Sequence, residues 1–234
     1  MPPPAWDIRP FTVPWAHTGM LPNDRKAPIM TDFARCGDTA ADHRDDSGEG
    51  PRTELEKMLA GELYLIDDPE LRAMRRRCYE LTDALNATTN ADRETRRAIL
   101  RELLGGAGER VNVKSSFRCD YGCNIHLGDD VFINVDCVIL DCARVEIGSG
   151  TLIGPQVGIY AVTHPLDAVE RACGREWGEP VTIGSNCWIG GHATILPGVT
   201  LGDNVIVAAG AVVTRSFPAN VMVAGVPAHV VREL

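Results

Sequence analysis

The stretch that decides the fold is Ile183-Gly184-Ser185-Asn186-Cys187-Trp188-Ile189-Gly190-Gly191-His192-Ala193-Thr194-Ile195-Leu196-Pro197-Gly198-Val199-Thr200-Leu201-Gly202. Aliphatic residues fall at Ile183, Ile189, Ile195 and Leu201 and continue at Val207 and Val213, each six positions after the last. Upstream, Leu127, Ile133 and Ile139 keep the same spacing. It resumes after a two-residue slip at Ile147, Ile153 and Ile159. A period of six is neither helical nor a simple strand alternation. It suits a prism whose flat faces are short parallel strands, one aliphatic per face pointing inward, with small residues where the chain turns. Three such faces make a coil of about 18 residues, and residues 111–234 hold roughly six coils.

Residues 53–110 read differently, as helix. Thr53 and Glu56 stand at capping-box spacing, and Leu55, Leu59 and Leu63 follow at helical intervals. Asp67-Asp68-Pro69 opens a second helix with an apolar stripe of Leu71, Met74, Cys78, Leu81 and Leu85. A third is predicted from Asp92 to Leu104, stopped by Gly105-Gly106. The arginine run at 75, 76 and 77 reads as a solvated helix face. Residues 1–52 are polar and proline-rich without apolar period, which predicts a disordered or extended tail.

The 234 residues carry a formal net charge of -9. That balance argues against nucleic acid as the main partner, because phosphate binding wants clustered Lys and Arg. A small anionic cofactor needs only a few local cations. No apolar run is long enough to span a membrane, and the N-terminus has no signal-peptide pattern, so a cytoplasmic location is expected. Eight cysteines occur without any CxxC pair, so neither a zinc site nor a disulfide framework is expected. Gly148-Ser149-Gly150 lacks the strand–helix context of a dinucleotide loop.

Asp120-Tyr121-Gly122-Cys123-Asn124-Ile125, Thr163-His164-Pro165, the Ile183–Gly191 phrase and Ala224-Gly225-Val226-Pro227-Ala228 together resemble the hexapeptide-repeat acyltransferase superfamily. The resemblance is to its maltose, galactoside and nodulation-factor O-acetyltransferase branch. It covers about residues 54–234, including Gly61-Glu62-Leu63-Tyr64. The resemblance implies a mainly β fold, a left-handed parallel β-helix with an N-terminal helical segment and an inserted loop near 165–180. It also implies a homotrimer with clefts between neighbouring prisms, acetyl-CoA as co-substrate, no metal, and acetyl transfer to a sugar hydroxyl.

Acyl transfer from a thioester to an alcohol needs a base for the hydroxyl proton, donors for the oxyanion, and alignment of both substrates. His164 is the candidate base. Histidine ordinarily titrates near neutrality, and the non-repeating stretch after it is the sort of loop that carries function. Read without the resemblance it is a surface histidine beside a proline. The resemblance assigns Asp120, Asn134 and Asp141 to the acceptor; the plainer alternative is that they cap turns. Asp67 is a further acceptor candidate. Glu176 would orient His164, bind the acceptor, or stand solvated in its loop.

For coenzyme A the matching positions are Trp188, Gly191, Ala209, Thr214, Arg215, His229 and Arg232. Gly191 lets a backbone N–H approach a ligand, and Trp188 otherwise packs between coils. Arg215 stands where relatives commonly carry Lys, and His229 where they carry a stronger base. His126 and His192 read as packing or surface. Three other functions compete. An N- or O-acetyltransferase for amino sugars or antibiotics would show itself in an acceptor screen. A zinc carbonic anhydrase on the same scaffold would want three convergent histidines, and a non-catalytic scaffold would fail to bind coenzyme A.

Overall fold

A computed structural model describes residues 51–234. Residues 1–50, and with them nearly all of the expected tail, lie outside the described residues. The three expected helices form as α1 (Glu54–Leu59), α2 (Pro69–Ala87) and α3 (Arg93–Leu103). Thr53 and Glu56 make the capping box reciprocally, and Asp68 caps α2 by accepting from the backbone of Glu70 and Leu71. Pro69 takes the first turn of α2, where its missing N–H costs nothing. The α2 stripe faces inward as expected, with Leu71, Cys78, Leu81 and Leu85 buried. The α1 stripe does not. Met58 is its buried residue, Leu59 is 61% exposed, and Leu63 lies beyond the helix end.

The prism begins at Gly106–Ala107, ahead of the expected start at 111. Its first face stacks Gly106–Ala107, Ile125–Leu127, Val145–Ile147, Val181–Ile183 and Thr200–Leu201 in parallel. The second runs Asn112–Val113, Phe132–Ile133, Leu152–Ile153, Trp188–Ile189, Ile206–Val207 and Val221–Gly225, closed by the antiparallel strand Ala228–Glu233. The third stacks Phe117–Cys119, Cys137–Leu140, Gly158–Tyr160, Thr194–Ile195 and Val212–Val213. This is a parallel β-helix. Every aliphatic of the six-residue series is buried, from Leu127 at 5% to Ile133 and Ile189 at 0%. A second inward row sits two positions earlier, at Val181, Cys187, Ala193, Val199, Val205 and Ala211. Each buried Val, Ile or Leu contributes about 1.5–3 kcal/mol, so the two rows together dominate the fold's stability.

The register also explains the slip. Ile183 pairs with Leu201, one 18-residue coil on, whereas Ile125 pairs with Val145 across a coil two residues longer. The extra two residues fall between Leu140 and Val145, at the corner between the third face and the first. At that corner of the next coil the chain leaves the prism altogether, over residues 161–180. The excursion carries α4 (Ala168–Ala172) and an antiparallel pair, Val162–Thr163 against Arg175–Gly178. The far edge of that pair is filled by Tyr64–Leu65 from the helical segment, with Tyr64 opposite Glu176. Gly61, at φ +72°, makes the preceding turn. A Cβ there would lie 3.2 Å from the carbonyl oxygen of Gly178.

Among the described residues no helix is long and apolar enough to cross a membrane. Six of the described cysteines are free thiols and Cys173 is disulfide-bonded.

Candidate active site

His164 follows the Val162–Thr163 strand, and its side chain is 47% exposed. Its Nδ1 lies 3.4 Å from the carbonyl oxygen of Arg175, and its Nε2 lies 3.7 Å from Oε2 of Glu176. An Nδ1–H pointed at that carbonyl leaves the Nε2 lone pair available. Glu176 is nearly buried, and its Oε1 accepts a hydrogen bond from the hydroxyl of Tyr64. The thiol of Cys142 stands 3.6 Å from that same oxygen and 3.6 Å from Oδ2 of Asp120. Burial first, then Glu176 and Asp120, pushes the Cys142 thiol well above its ordinary range, so it stays protonated. Burial also raises Asp120. Glu176 adds to that shift, while Cys142 and Arg75 oppose it.

Asp141 lies at the corner beneath. Its Oδ1 accepts from the backbone N–H of Asp120 at 3.0 Å and Tyr121 at 2.9 Å, and its Oδ2 from that of Asn124 at 3.2 Å. Asn124 returns a bond from Nδ2 to the Asp141 carbonyl at 2.8 Å. Asp141 is fully buried, so the expectation that it meets the acceptor is corrected. It shapes the turn that presents Asp120.

Arg75 corrects a second expectation. Only Arg76 and Arg77 of the run are exposed. Arg75 donates to the Tyr121 hydroxyl at 2.6 Å and the Ile66 carbonyl at 2.5 Å, with its guanidinium 5.7 Å from the Tyr121 ring centroid.

One chain therefore brings together His164, Glu176 and Asp120, with Asp141 behind them. Tyr64, Cys142 and Arg75 join this cluster, and sequence reasoning missed all three as site residues. The Gly61–Tyr64 phrase marked the neighbourhood of Tyr64 but gave it no role. Asp67 forms an exposed ion pair with Arg72 at 3.2 Å.

Asn134 lies at a different corner, between the second face and the third. Its backbone N–H bonds Ile153 at 3.0 Å, and the equivalent bonds one and two coils on come from Gly154 and Gly190. Gly191 and Ala209 share that corner, and the Gly210 N–H donates to the Gly191 carbonyl at 2.9 Å. Trp188, 56% exposed, points outward from the adjoining second face. Thr214, Arg215 and His229 line a depression of about 560 Å³ with Val226, Pro227 and Ala228. Arg215 there lies over the Phe217 ring at 5.3 Å. Arg232 is exposed on the final strand, opposite Met222.

His192 occupies a corner with φ +59°. His126 is half-buried and in contact with Arg144 at 3.1 Å. Among the described residues no three His, Cys, Asp or Glu side chains are grouped to hold a metal.

The six-residue period and parallel prism are those of a hexapeptide-repeat protein, and on an excursion from one corner a histidine and a glutamate face each other. Two family patterns match: the maltose acetyltransferase hexapeptide capping motif over residues 57–108, and the hexapeptide repeat of succinyl-transferase over 180–215. Nodulation protein L of Rhizobium meliloti is 48% identical over 76% of this chain and 98% of its own. A maltose O-acetyltransferase from Clostridium difficile superposes with a TM-score of 0.77 at 45% identity, covering 79% of this chain and 99% of that one. A hexapeptide-repeat acetyltransferase from Vibrio cholerae, solved with acetyl coenzyme A, gives 0.73 at 37% identity over 78% and 99%. This chain belongs to that acetyltransferase family, in the branch of the maltose O-acetyltransferases and nodulation protein L.

Proposed function

We propose that the protein transfers acetyl from acetyl-CoA to a hydroxyl of a sugar, with His164 as general base. The observation that carries this is the pose of the imidazole, with Nδ1 toward the Arg175 carbonyl and Nε2 facing Glu176. The acceptor hydroxyl gives its proton to Nε2 as its oxygen attacks the thioester carbonyl carbon. The tetrahedral intermediate collapses, the C–S bond breaks, and the departing thiolate takes the proton back from the imidazolium. Glu176 stabilises the imidazolium while it lasts. Asp120 offers Oδ1 to an acceptor hydroxyl; its Oδ2 is engaged by Cys142. Thr214, Arg215 and His229 border a space suited to a coenzyme A segment, and Trp188, Gly191, Ala209 and Arg232 are the other cofactor contacts we assign.

The residues assigned to acceptor and cofactor lie on two corners of one prism. A single site that uses both needs a neighbouring chain, so we place it in the cleft of a homotrimer, with Asn134 supplied from the other side.

The test is an acetyl-CoA assay against maltose, glucose, galactosides, chitin fragments and amino sugars, run beside His164→Ala. The variant should lose about 10²–10⁴-fold in turnover with its assembly intact. Near-normal turnover would refute the base, and absence of transfer to every hydroxyl acceptor would refute the function.

A further inference from the structure

We propose that Tyr64 is a positioning residue for the acyl-transfer centre, holding the Glu176 carboxylate so that its second oxygen faces His164. This makes the helical N-terminal segment part of the catalytic apparatus, and it rests on the functional reading above.

The argument starts with the acceptor capacity of a carboxylate. Each oxygen offers two lone pairs. At Oε1 of Glu176 one is met by the Tyr64 hydroxyl; the Cys142 thiol, 3.6 Å away, has a single proton and divides it between this oxygen and Oδ2 of Asp120. Both donors are buried, Tyr64 at 1% and Cys142 at 3% exposure. Burial, aided by the neighbouring Cys142 and Glu176, raises the phenol far above its ordinary range, so it serves as an O–H donor throughout the working pH range. With Oε1 occupied, Oε2 is the oxygen left to the imidazole, at 3.7 Å from Nε2.

The backbone fixes this division of labour. Tyr64 and Glu176 are directly opposed in the antiparallel pair, and the Ile66 N–H extends the pairing by bonding the Gly174 carbonyl at 3.0 Å. The phenol therefore reaches Glu176 from a strand, not from a mobile side. Glu176 has no other strong donor among the described contacts. Without the hydroxyl its carboxylate keeps only a weak thiol partner and is free to turn about its terminal torsion.

Tyr64→Phe removes one oxygen and keeps the buried ring, so it tests the bond without emptying the core. Turnover should fall roughly tenfold while KM for acetyl-CoA stays unchanged. Because Tyr64 acts through Glu176, Tyr64→Phe should add nothing in a Glu176→Gln background. Unchanged turnover in the single variant, or additive losses in the double, would overturn the proposal.

A wild-type protein that acetylates no hydroxyl acceptor would refute the functional reading alone. The position of Glu176 is then read from the ring-nitrogen NMR resonances of His164 in ligand-free protein. Tyr64→Phe and Glu176→Gln should displace them alike; undisturbed resonances in Tyr64→Phe would dispose of the positioning role.

Discussion

At Asp141 and Asp120 the same functional group meets two environments. Asp120 is partly buried with Oδ2 3.6 Å from the Cys142 thiol, while Asp141 is fully buried and spends both oxygens on three backbone N–H groups. Burial still pushes Asp141 up to about 7, against the pull of those donors. An acid raised in the folded state holds its proton to higher pH there than in the unfolded chain. Unfolding then releases protons, and stability falls as pH rises from the ordinary carboxyl range to about 7. Below that window both states are protonated and the effect vanishes; above it the penalty is constant. Asp141→Asn removes the titration, but its amide turns an N–H toward that of Asn124. Relative to wild type, the variant should be less stable near pH 4 and recover as pH approaches about 8. Denaturant unfolding across that range checks it, and parallel profiles would contradict it. None of this distinction is legible in the sequence, since an aspartate that holds a turn and one proposed to meet an acceptor are written alike. Arg75 was hidden for a similar reason, because a run of arginines does not reveal which one has an aromatic ring beneath it.

The strands and corners were far more legible. A six-residue period translates directly into geometry, because each face contributes inward positions at a fixed interval. Left-handed corners at Asn186, Asn204 and Asn220, with φ of 57°, 53° and 62°, use the residue that tolerates that conformation best after glycine. Gly190 marks a point of tight stacking. A Cβ there would lie 2.5 Å from the Ala209 nitrogen and 2.8 Å from the Val207 carbonyl oxygen, both backbone atoms of the next coil. Gly190→Ala should therefore cost about 1–3 kcal/mol through forced separation of the coils. Gly210, with φ +71° and nothing within 4 Å of its Cβ position, should cost about 1 kcal/mol on the same change, from backbone strain alone. Equal losses in denaturant titrations would show that stacking distance is not what selects glycine at 190. The excursion was the opposite case. Its sheet joins a two-residue strand near position 64 to one near 176, and neither has a period to read. Pairing across such a distance is tertiary, so the sequence showed where the repeat stopped but not what replaced it.

For the molecule as a whole, the second face is the one that looks unfinished. Its outward row runs Phe132, Leu152, Trp188 and Ile206 to Met222, the alternates of the buried series. Leu152 is 48% and Trp188 56% exposed. Adjacent exposed apolar side chains on a rigid surface favour a protein partner, and the proposed homotrimer gives them one. Leu152→Glu should shift the sedimentation coefficient from trimer toward monomer and reduce transfer in step with the loss of assembly. An unshifted trimer would place the subunit contact on another face.

Tyr64 and Glu176 are 112 positions apart. As the chain leaves the ribosome, the phenol emerges early and waits while most of the first three coils are made. Closing so long a loop is entropically slow, and it depends on a corner that exists only once those coils have stacked. The hydroxyl–carboxylate bond thus waits on those coils alone, and in a nascent chain Glu176 is anchored only after the half of the prism beneath it has stacked.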